Sequence, residues 1–254
     1  MVHFVGAGSG AADLITIRGK NLLEEADVII YAGSLVNPEL LKYAKQDCEI
    51  HNSARMHLEQ VLSVIRQAEQ EGKMTVRLHT GDPCLYGAIR EQMDRLQEMG
   101  IEYAYCPGVS SFCGAAAALK AEYTLPEVSQ TVVITRMAGR TPVPEAERIR
   151  ALAVHGATLI IFLSTGMLKE LSTELIAGGY DPDCPAAIVY KATWPDEKVC
   201  RCSVKTLHET AQTEQITKTA LIVVGKVLGD DYGLSKLYDA QFETEFRKAS
   251  GSGE

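Results

Sequence analysis

The chemistry-bearing residues of this chain concentrate in Leu78-His79-Thr80-Gly81-Asp82-Pro83-Cys84-Leu85-Tyr86-Gly87. The stretch follows Met74-Thr75-Val76, an apolar run that reads as a buried strand. Gly81, Pro83 and Gly87 force a tight, irregular backbone just past the strand end, where open α/β sheets build ligand sites. Asp82 lies between a glycine and a proline, so its carboxylate is fixed. It could accept hydrogen bonds from a ribose or an amino group. The same spacing equally makes an Asx turn that only shapes the loop. Three more loops with small or polar tips follow expected strands: Pro107-Gly108-Val109-Ser110-Ser111, Leu163-Ser164-Thr165-Gly166 and Tyr190-Lys191-Ala192-Thr193-Trp194-Pro195. Singly, each reads as helix capping or packing. Together, with no His/Ser/Asp triad and no metal cluster among them, they point to recognition of a polar ligand and to a reaction needing little acid–base machinery.

The elements that must position these loops alternate. Val2-His3-Phe4-Val5, Val28-Ile29-Ile30-Tyr31, Val76-Arg77-Leu78 and Tyr103-Ala104-Tyr105-Cys106 read as strands. Helices fit Leu22 to Ala26, His57 to Glu71 (Leu58, Val61, Leu62 and Ile65 on one face), Ile89 to Met99 and Cys113 to Leu119. Apolar strands separated by helices imply a mostly parallel sheet. After a linker over Ala121 to Glu127, strands fit Thr131 to Thr135, Thr158 to Phe162, Ala186 to Tyr190, Lys198 to Val204 and Leu221 to Val224. Helices fit Pro144 to Ala153, Met167 to Gly178 and Val204 to Gln212. The late strands are closely spaced, so a mixed sheet is expected. The chain thus reads as α/β in two lobes, each a sheet flanked by helices: residues 1–120, residues 121–235, and a flexible tail over 236–254.

Composition sets the bounds. At 254 residues there is ample core for one large domain or two lobes. No apolar stretch is long enough to span a bilayer, and the N-terminus enters directly into a strand without a signal-peptide pattern, so a cytoplasmic protein is expected. The seven cysteines lack zinc-type spacing, and Cys200-Arg201-Cys202 suits strand alternation better than a tetrahedral site; reduced thiols and no metal site are expected. A net charge of −8 argues against a nucleic-acid binder that works by backbone neutralisation.

Val5-Gly6-Ala7-Gly8-Ser9-Gly10 invites a nicotinamide-dinucleotide reading, with a nicotinamide-dependent oxidoreductase as its consequence. Two features weigh against it. In that fingerprint the helix starts at the glycines, whereas Ala11-Ala12-Asp13-Leu14-Ile15 intervenes here before a helix can begin near Thr16. The second strand also ends Ile30-Tyr31-Ala32-Gly33, without the acidic residue that would grip a ribose.

The glycine-rich opening, the Gly81-Asp82-Pro83 loop with Tyr86-Gly87, the Pro107 to Ser111 turn and Thr219-Ala220-Leu221-Ile222-Val223-Val224-Gly225 form an ordered set. In that set the chain resembles the tetrapyrrole (corrin/porphyrin) methylases, S-adenosylmethionine-dependent methyltransferases that modify corrin and sirohaem precursors. The resemblance spans Val2 to about Leu228. Val28 to Val36, His57-Leu58-Glu59-Gln60 and Thr124 to Thr131 resemble the branch that methylates precorrin-4 or cobalt-precorrin-4 at C-11, in cobalamin biosynthesis. Methylation at another ring position, and a non-catalytic sensor of an adenosyl ligand, are the alternatives within the same pocket.

The resemblance implies a cytoplasmic homodimer of two-lobed chains, with S-adenosylmethionine held in the cleft between lobes and S-adenosylhomocysteine as product. Its cofactor contacts carry over onto Thr80, Gly81, Asp82, Leu85, Ser110, Ser111, Ser164, Ala192, Thr219 and Ala220. Ser9 belongs to the opening loop, which in the resembled family faces the macrocycle. Sirohaem-forming relatives have a candidate base, an aspartate, just after the second strand; this chain has Ala32 and Gly33 there, so no base is assigned. Methyl transfer from a sulfonium to an electron-rich carbon is an in-line displacement in which orientation alone can contribute about 7–11 kcal/mol. The substrate bears many carboxylates, so basic residues are expected around it. Arg55, Arg136, Arg140 and Lys191 are the candidates carried forward, with Arg18 and Lys20 behind them.

Overall fold

The computed structural model describes residues 1–250. They form two compact units: Met1–Ala118 together with Tyr190–Lys198, and Leu119–Val189 together with the chain from Val199 onward.

The first unit is built on five strands, β1 (Val2–Gly6), β2 (Val28–Tyr31), β3 (Glu49–Asn52), β4 (Thr75–His79) and β5 (Tyr103–Cys106). Their order is β3-β2-β4-β1-β5, and every neighbouring pair is parallel. Helices α1 (Ile17–Glu25), α2 (Leu58–Gln70), α3 (Arg90–Glu98) and α4 (Ser111–Leu119) connect or follow them. Side chains alternate across the sheet, as the two-residue strand period requires. Val5, Ile29, Val76 and Leu78 pack with Leu23 and Ala26 at the end of α1. Val2, Phe4, Val28 and Ile30 pack on the other face with Val61, Leu62 and Ile65 of α2 and Leu96 of α3. The connection leaving β1 therefore runs over one face and the connection leaving β4 over the other. β1 and β4 are neighbours, so their carboxyl ends flank a topological switch point, the place where open α/β sheets hold ligands.

Most expected elements hold to within a residue or two. The His57–Glu71 helix is α2 with His57 and Glu71 as its caps; the His57 backbone N–H donates to Gln60 Oε1 at 3.0 Å. The expected start near Thr16 is the N-cap of α1, where the Thr16 hydroxyl accepts from Gly19 N at 3.0 Å. β3 has no counterpart in the sequence reading. It is a four-residue edge strand carrying Glu49 and His51, too short and too polar to signal itself.

The second unit holds β6 (Val132–Arg136), β7 (Thr158–Phe162), β8 (Pro185–Tyr190), β9 (Lys198–Ser203) and β10 (Ala220–Val224) in the order β6-β7-β10-β8-β9. β6 and β7 are parallel whereas β10 runs antiparallel to β7, which makes the sheet mixed as expected. Helices α5 (Ile149–Ala153), α6 (Leu168–Ala177) and α7 (Leu207–Thr213) accompany it. The single helix expected over Pro144–Ala153 is instead a 3-10 turn, Glu145–Glu147, followed by α5, because Arg148 between them is extended. Of the expected tail, residues 236–250 include a 3-10 turn, Lys236–Tyr238, and Arg247, whose guanidinium donates to the carbonyls of Leu237, Asp239 and Phe242. Residues 251–254 lie outside the described residues. Among the described residues no helix is long and apolar enough to cross a membrane.

Candidate functional site

Three backbone segments meet at the carboxyl edge of the first sheet, and glycine is what lets them meet. Gly8 and Gly81 exchange backbone hydrogen bonds, N–H to carbonyl, of 3.2 and 2.9 Å. A methyl group on Gly108 would lie 2.3 Å from the Gly81 carbonyl oxygen, and one on Gly6 would lie 2.5 Å from Gly108 Cα. The glycine-rich opening therefore does not cradle a pyrophosphate at a helix start. It runs into a 3-10 turn (Ala12–Leu14) before α1, and its glycines serve the close approach of loops.

Asp82 ties these loops together. Its Oδ1 accepts from Cys84 N at 2.8 Å, the Asx turn that the sequence allowed, and also from the Tyr105 hydroxyl. Its Oδ2 accepts from Gly108 N at 2.9 Å. Burial works to raise the Asp82 pKa, but the hydrogen bonds from Tyr105, Cys84 and Gly108 outweigh it and hold the carboxyl below its ordinary value. Burial, followed by the bond to Asp82, raises the Tyr105 phenol in turn. With both oxygens engaged, Asp82 acts as the clasp between the loop after β4 and the loop after β5. Tyr105 escaped the sequence reading, although its place beside Pro107-Gly108 in a strand of alternating tyrosines was a usable signal.

The other candidates of this unit gather on the same edge. Thr80 donates to the Leu35 carbonyl at 3.4 Å, and Thr80 and Leu85 line a cavity of about 250 Å³. Ser110 is buried at the start of α4, with Ser111 as the first helical residue. Ser9 is buried, with its hydroxyl 3.2 Å from that of Thr193, which also accepts from Ala11 N at 3.0 Å. Gly10 faces the Trp194 ring so closely that a methyl group there would sit 2.2 Å from its Cδ1. These contacts bring the 190–198 segment, and with it Ala192 and Lys191, into the first unit. Lys191 is not a free cation: its ammonium lies 2.6 Å from Asp196 and over the Trp194 and Tyr190 rings, and the Asp196 bond raises its pKa. Arg55 is exposed at the end of a turn (Ser53–Arg55) directly after β3. Lys20, within α1, pairs with Glu24.

In the second unit the candidates share one edge of the mixed sheet, because the ends of β6 and β7 and the start of antiparallel β10 fall together. Ser164 is fully buried; its hydroxyl accepts from Met137 N at 2.9 Å and donates to the Phe162 carbonyl at 2.6 Å. Its carbonyl accepts from Met167 N at 2.9 Å, so both its hydroxyl and its carbonyl are engaged within the unit. Thr219 has φ +58, and the carbonyl of Ala220 accepts from the Thr165 hydroxyl at 3.2 Å. Arg136 is the last residue of β6. Its guanidinium donates to the carbonyls of Met137, Thr141 and Pro142 at 3.1, 3.2 and 2.8 Å, closing the loop that carries the exposed Arg140.

Gly81, Lys191, Thr193 and Thr219, all in candidate loops, have positive φ, as do Tyr86 and Leu163 beside them. Strained left-handed backbone of this kind clusters at ligand sites, where it turns peptide N–H and C=O groups outward. Among the described residues no group of three or more His, Cys, Asp or Glu is placed to hold a metal ion.

The sequence model of the tetrapyrrole (corrin/porphyrin) methylases matches residues 1–208. The cobalt-precorrin-4 C(11)-methyltransferase of Methanocaldococcus jannaschii is 55% identical over 249 residues, covering 98% of this chain and 96% of that protein. Among solved structures, the X-ray structure of a cobalamin biosynthetic enzyme, cobalt precorrin-4 methyltransferase, superposes with a TM-score of 0.88 at 46% identity, covering 90% of this chain and 96% of the other. Uroporphyrin-III C-methyl transferase from Thermus thermophilus, complexed with S-adenosylhomocysteine, superposes with a TM-score of 0.75 at 25% identity over 89% and 92% of the two chains. With a parallel five-stranded unit, a mixed five-stranded unit and the glycine-knit loops at the strand ends, this chain belongs to the tetrapyrrole (corrin/porphyrin) methylases.

Proposed function

We propose that the chain is an S-adenosylmethionine-dependent C-methyltransferase that methylates cobalt-precorrin-4 at C-11. The observation that carries this reading is 55% identity along nearly the whole of a protein bearing that activity in its name, with cobalt precorrin-4 methyltransferase named for the structure at TM-score 0.88. The glycine-rich opening, knitted to Gly81 instead of starting a helix, speaks against the nicotinamide alternative.

The loops suit an adenosyl cofactor. Gly81, Ser110 and Ser111 offer small side chains around the Asp82 clasp. Ala192, Thr219 and Ala220 offer the same kind of surface, Ser164 is buried within its own unit, and Leu85 and Thr80 add an apolar contact and a hydroxyl. When bound, the cofactor supplies a methyl group on a sulfonium sulfur, open to displacement by an electron-rich ring carbon. Asp82 does not take a proton in this scheme; its three hydrogen bonds hold the loops in the geometry that orientation catalysis demands. Arg55, Arg136, Arg140, Lys191 and Ser9 are assigned to the macrocycle side, and a cytoplasmic homodimer is the working assembly.

Transfer of radiolabelled methyl from S-adenosylmethionine to cobalt-loaded and metal-free precorrin-4, with the product analysed for its methylated position, tests the proposal. Label at C-11 with preference for the cobalt-loaded substrate is expected. Label at another carbon, or none, overturns it.

A further inference from the structure

β4 buries Val76 and Leu78 on one face of its sheet, and its alternate positions carry Arg77 and His79. Both point to the face that α2 and α3 cover, and both are more than nine-tenths buried. Arg77 donates Nε to Gln92 Oε1 at 3.0 Å and Nη1 to the Ile30 carbonyl at 3.0 Å, so its protein partners are neutral. No carboxylate of the described residues pairs with it. A buried guanidinium without a counter-charge is costly, because hydrogen bonds to neutral acceptors replace water only in part. The cost shows in its pKa, which burial pulls down to about 10.

His79 stands next to it on the same face, its ring 6.1 Å from that of Phe4. Its Nε2 is buried and has no hydrogen-bond partner. Burial, and then the Arg77 charge, push its pKa down to about 3, so the ring is neutral. A buried polar atom left unpaired in a native fold calls for an explanation, and a ligand group absent from the structure is one.

Arg77 and His79 both line the cavity of about 250 Å³ at the carboxyl end of β4, with Thr80, Ser53 and His57 supplying further polar groups. α3 begins at this cavity, and its N-cap residue, Ile89, gives the first turn no side-chain acceptor. Glu91 is the one carboxylate on the lining and is exposed to solvent. The buried polar side chains of this cavity, Arg77, His79 and Gln92, include no carboxylate, and the one amide oxygen among them, Gln92 Oε1, is already taken by Arg77.

We propose that the cavity seats a peripheral carboxylate of the macrocyclic substrate, with the Arg77 guanidinium as its counter-charge and Nε2–H of His79 as a second donor. The assignment rests on the methyltransferase reading for the source of the carboxylate, and on the geometry alone for its charge. A carboxylate is the right group on three counts. It is planar, which suits a guanidinium; it is acceptor-only, which suits an imidazole N–H; and it is small enough for the space. Held here, one edge of the ring is fixed beside the loops assigned to the cofactor, so the site sets the orientation of the macrocycle and hence the carbon that is methylated.

The test uses His79→Leu, because Nε2 of His79 bonds nothing in the protein and its loss removes no hydrogen bond of the fold. The KM for the tetrapyrrole is expected to rise about tenfold, the loss of one hydrogen bond to a charged group, while the dissociation constant of S-adenosylhomocysteine stays at its wild-type value. An unchanged KM overturns the proposal, as does an equal loss of cofactor affinity, the mark of a structural role. Where the wild-type protein methylates no tetrapyrrole, the methyltransferase reading fails and sodium propionate becomes the deciding probe. Titrated against protein carrying 15N-labelled histidine, it is expected to shift the His79 resonance saturably, an effect that matched sodium chloride does not reproduce and that Arg77→Gln abolishes. A His79 resonance indifferent to propionate then overturns the cavity assignment as well.

Discussion

The Tyr105 hydroxyl donates to the Asp82 carboxylate, joining β5 to the loop that leaves β4 although β1 lies between those strands in the sheet. The bond places two loops of the candidate cofactor site in one register. Asp82→Ala leaves the Gly108 and Cys84 N–H groups without their acceptor and is expected to weaken S-adenosylhomocysteine binding by about 1.5–3 kcal/mol, ten- to a hundredfold, with the fold retained. Tyr105→Phe should produce a smaller loss, and the double variant no more than Asp82→Ala alone, because both act through one clasp. Titration calorimetry on the three variants decides it; additive losses would mean two separate roles.

Gly108→Ala tests the close approach of the loops. The new methyl group would lie 2.3 Å from the Gly81 carbonyl oxygen, a backbone atom that cannot swing aside. A loss of about 1–3 kcal/mol in urea unfolding is expected, together with weaker cofactor binding. Gly100→Ala, where the methyl group would meet nothing within 4 Å but φ is +69, supplies the backbone-strain control with cofactor affinity intact.

His79 makes stability depend on pH with a definite sign. Its pKa is about 3 in the folded chain against an ordinary 6.5, so between those values the unfolded chain binds a proton that the folded one refuses. Stability is therefore unaffected above pH 6.5 and falls as the pH drops below it, by up to about 1.4 kcal/mol per pH unit from this group. Urea unfolding at a series of pH values should show a shallower slope below pH 6.5 in His79→Leu than in the wild type. Parallel slopes would mean that the folded chain protonates His79 as readily as the unfolded one.

The three arginines assigned to the macrocycle should separate by salt dependence. Arg55 and Arg140 are exposed, so alanine at either is expected to raise the substrate KM more at low ionic strength than at high. Arg136 is committed to three carbonyls of its own loop, and Arg136→Ala should raise KM through loop disorder, with little response to salt. Steady-state kinetics at two salt concentrations distinguish the two patterns, and three wild-type KM values would remove all three from the binding surface.

Chelator treatment followed by dialysis should leave methyl transfer at full rate, with any cobalt carried by the substrate counted separately. No ligand cluster forms among the described residues, and displacement at a sulfonium needs no Lewis acid. Recovery of lost activity on adding zinc or magnesium would contradict this.

The amino-acid sequence by itself determined the order and kind of the elements, because apolar periodicity and punctuation by glycine, proline and capping residues are local signals. Tyr103–Cys106 and Thr158–Phe162 are strands to the residue, and the N-terminal cap of α2 lies in His57-Leu58-Glu59-Gln60. The same local signals weighed against a dinucleotide cradle over Val5 to Gly10, since the helix starts late, and left it as an alternative. What they could not decide is what each polar side chain would find. Asp82 was open between turn and ligand contact until Tyr105 and Gly108, remote in sequence, came within reach of its oxygens. Arg136 and Lys191 looked like free cations because carbonyls beyond a loop and a carboxylate across a turn leave no periodic trace. Arg77 and His79 passed as members of an apolar strand, and only the packing of α2 and α3 over that face turned them into buried groups without a counter-charge or a partner. Periodicity is a property of neighbours along the chain, whereas desolvation and hydrogen-bond satisfaction depend on which distant segments close over a residue, and only the tertiary structure fixes those.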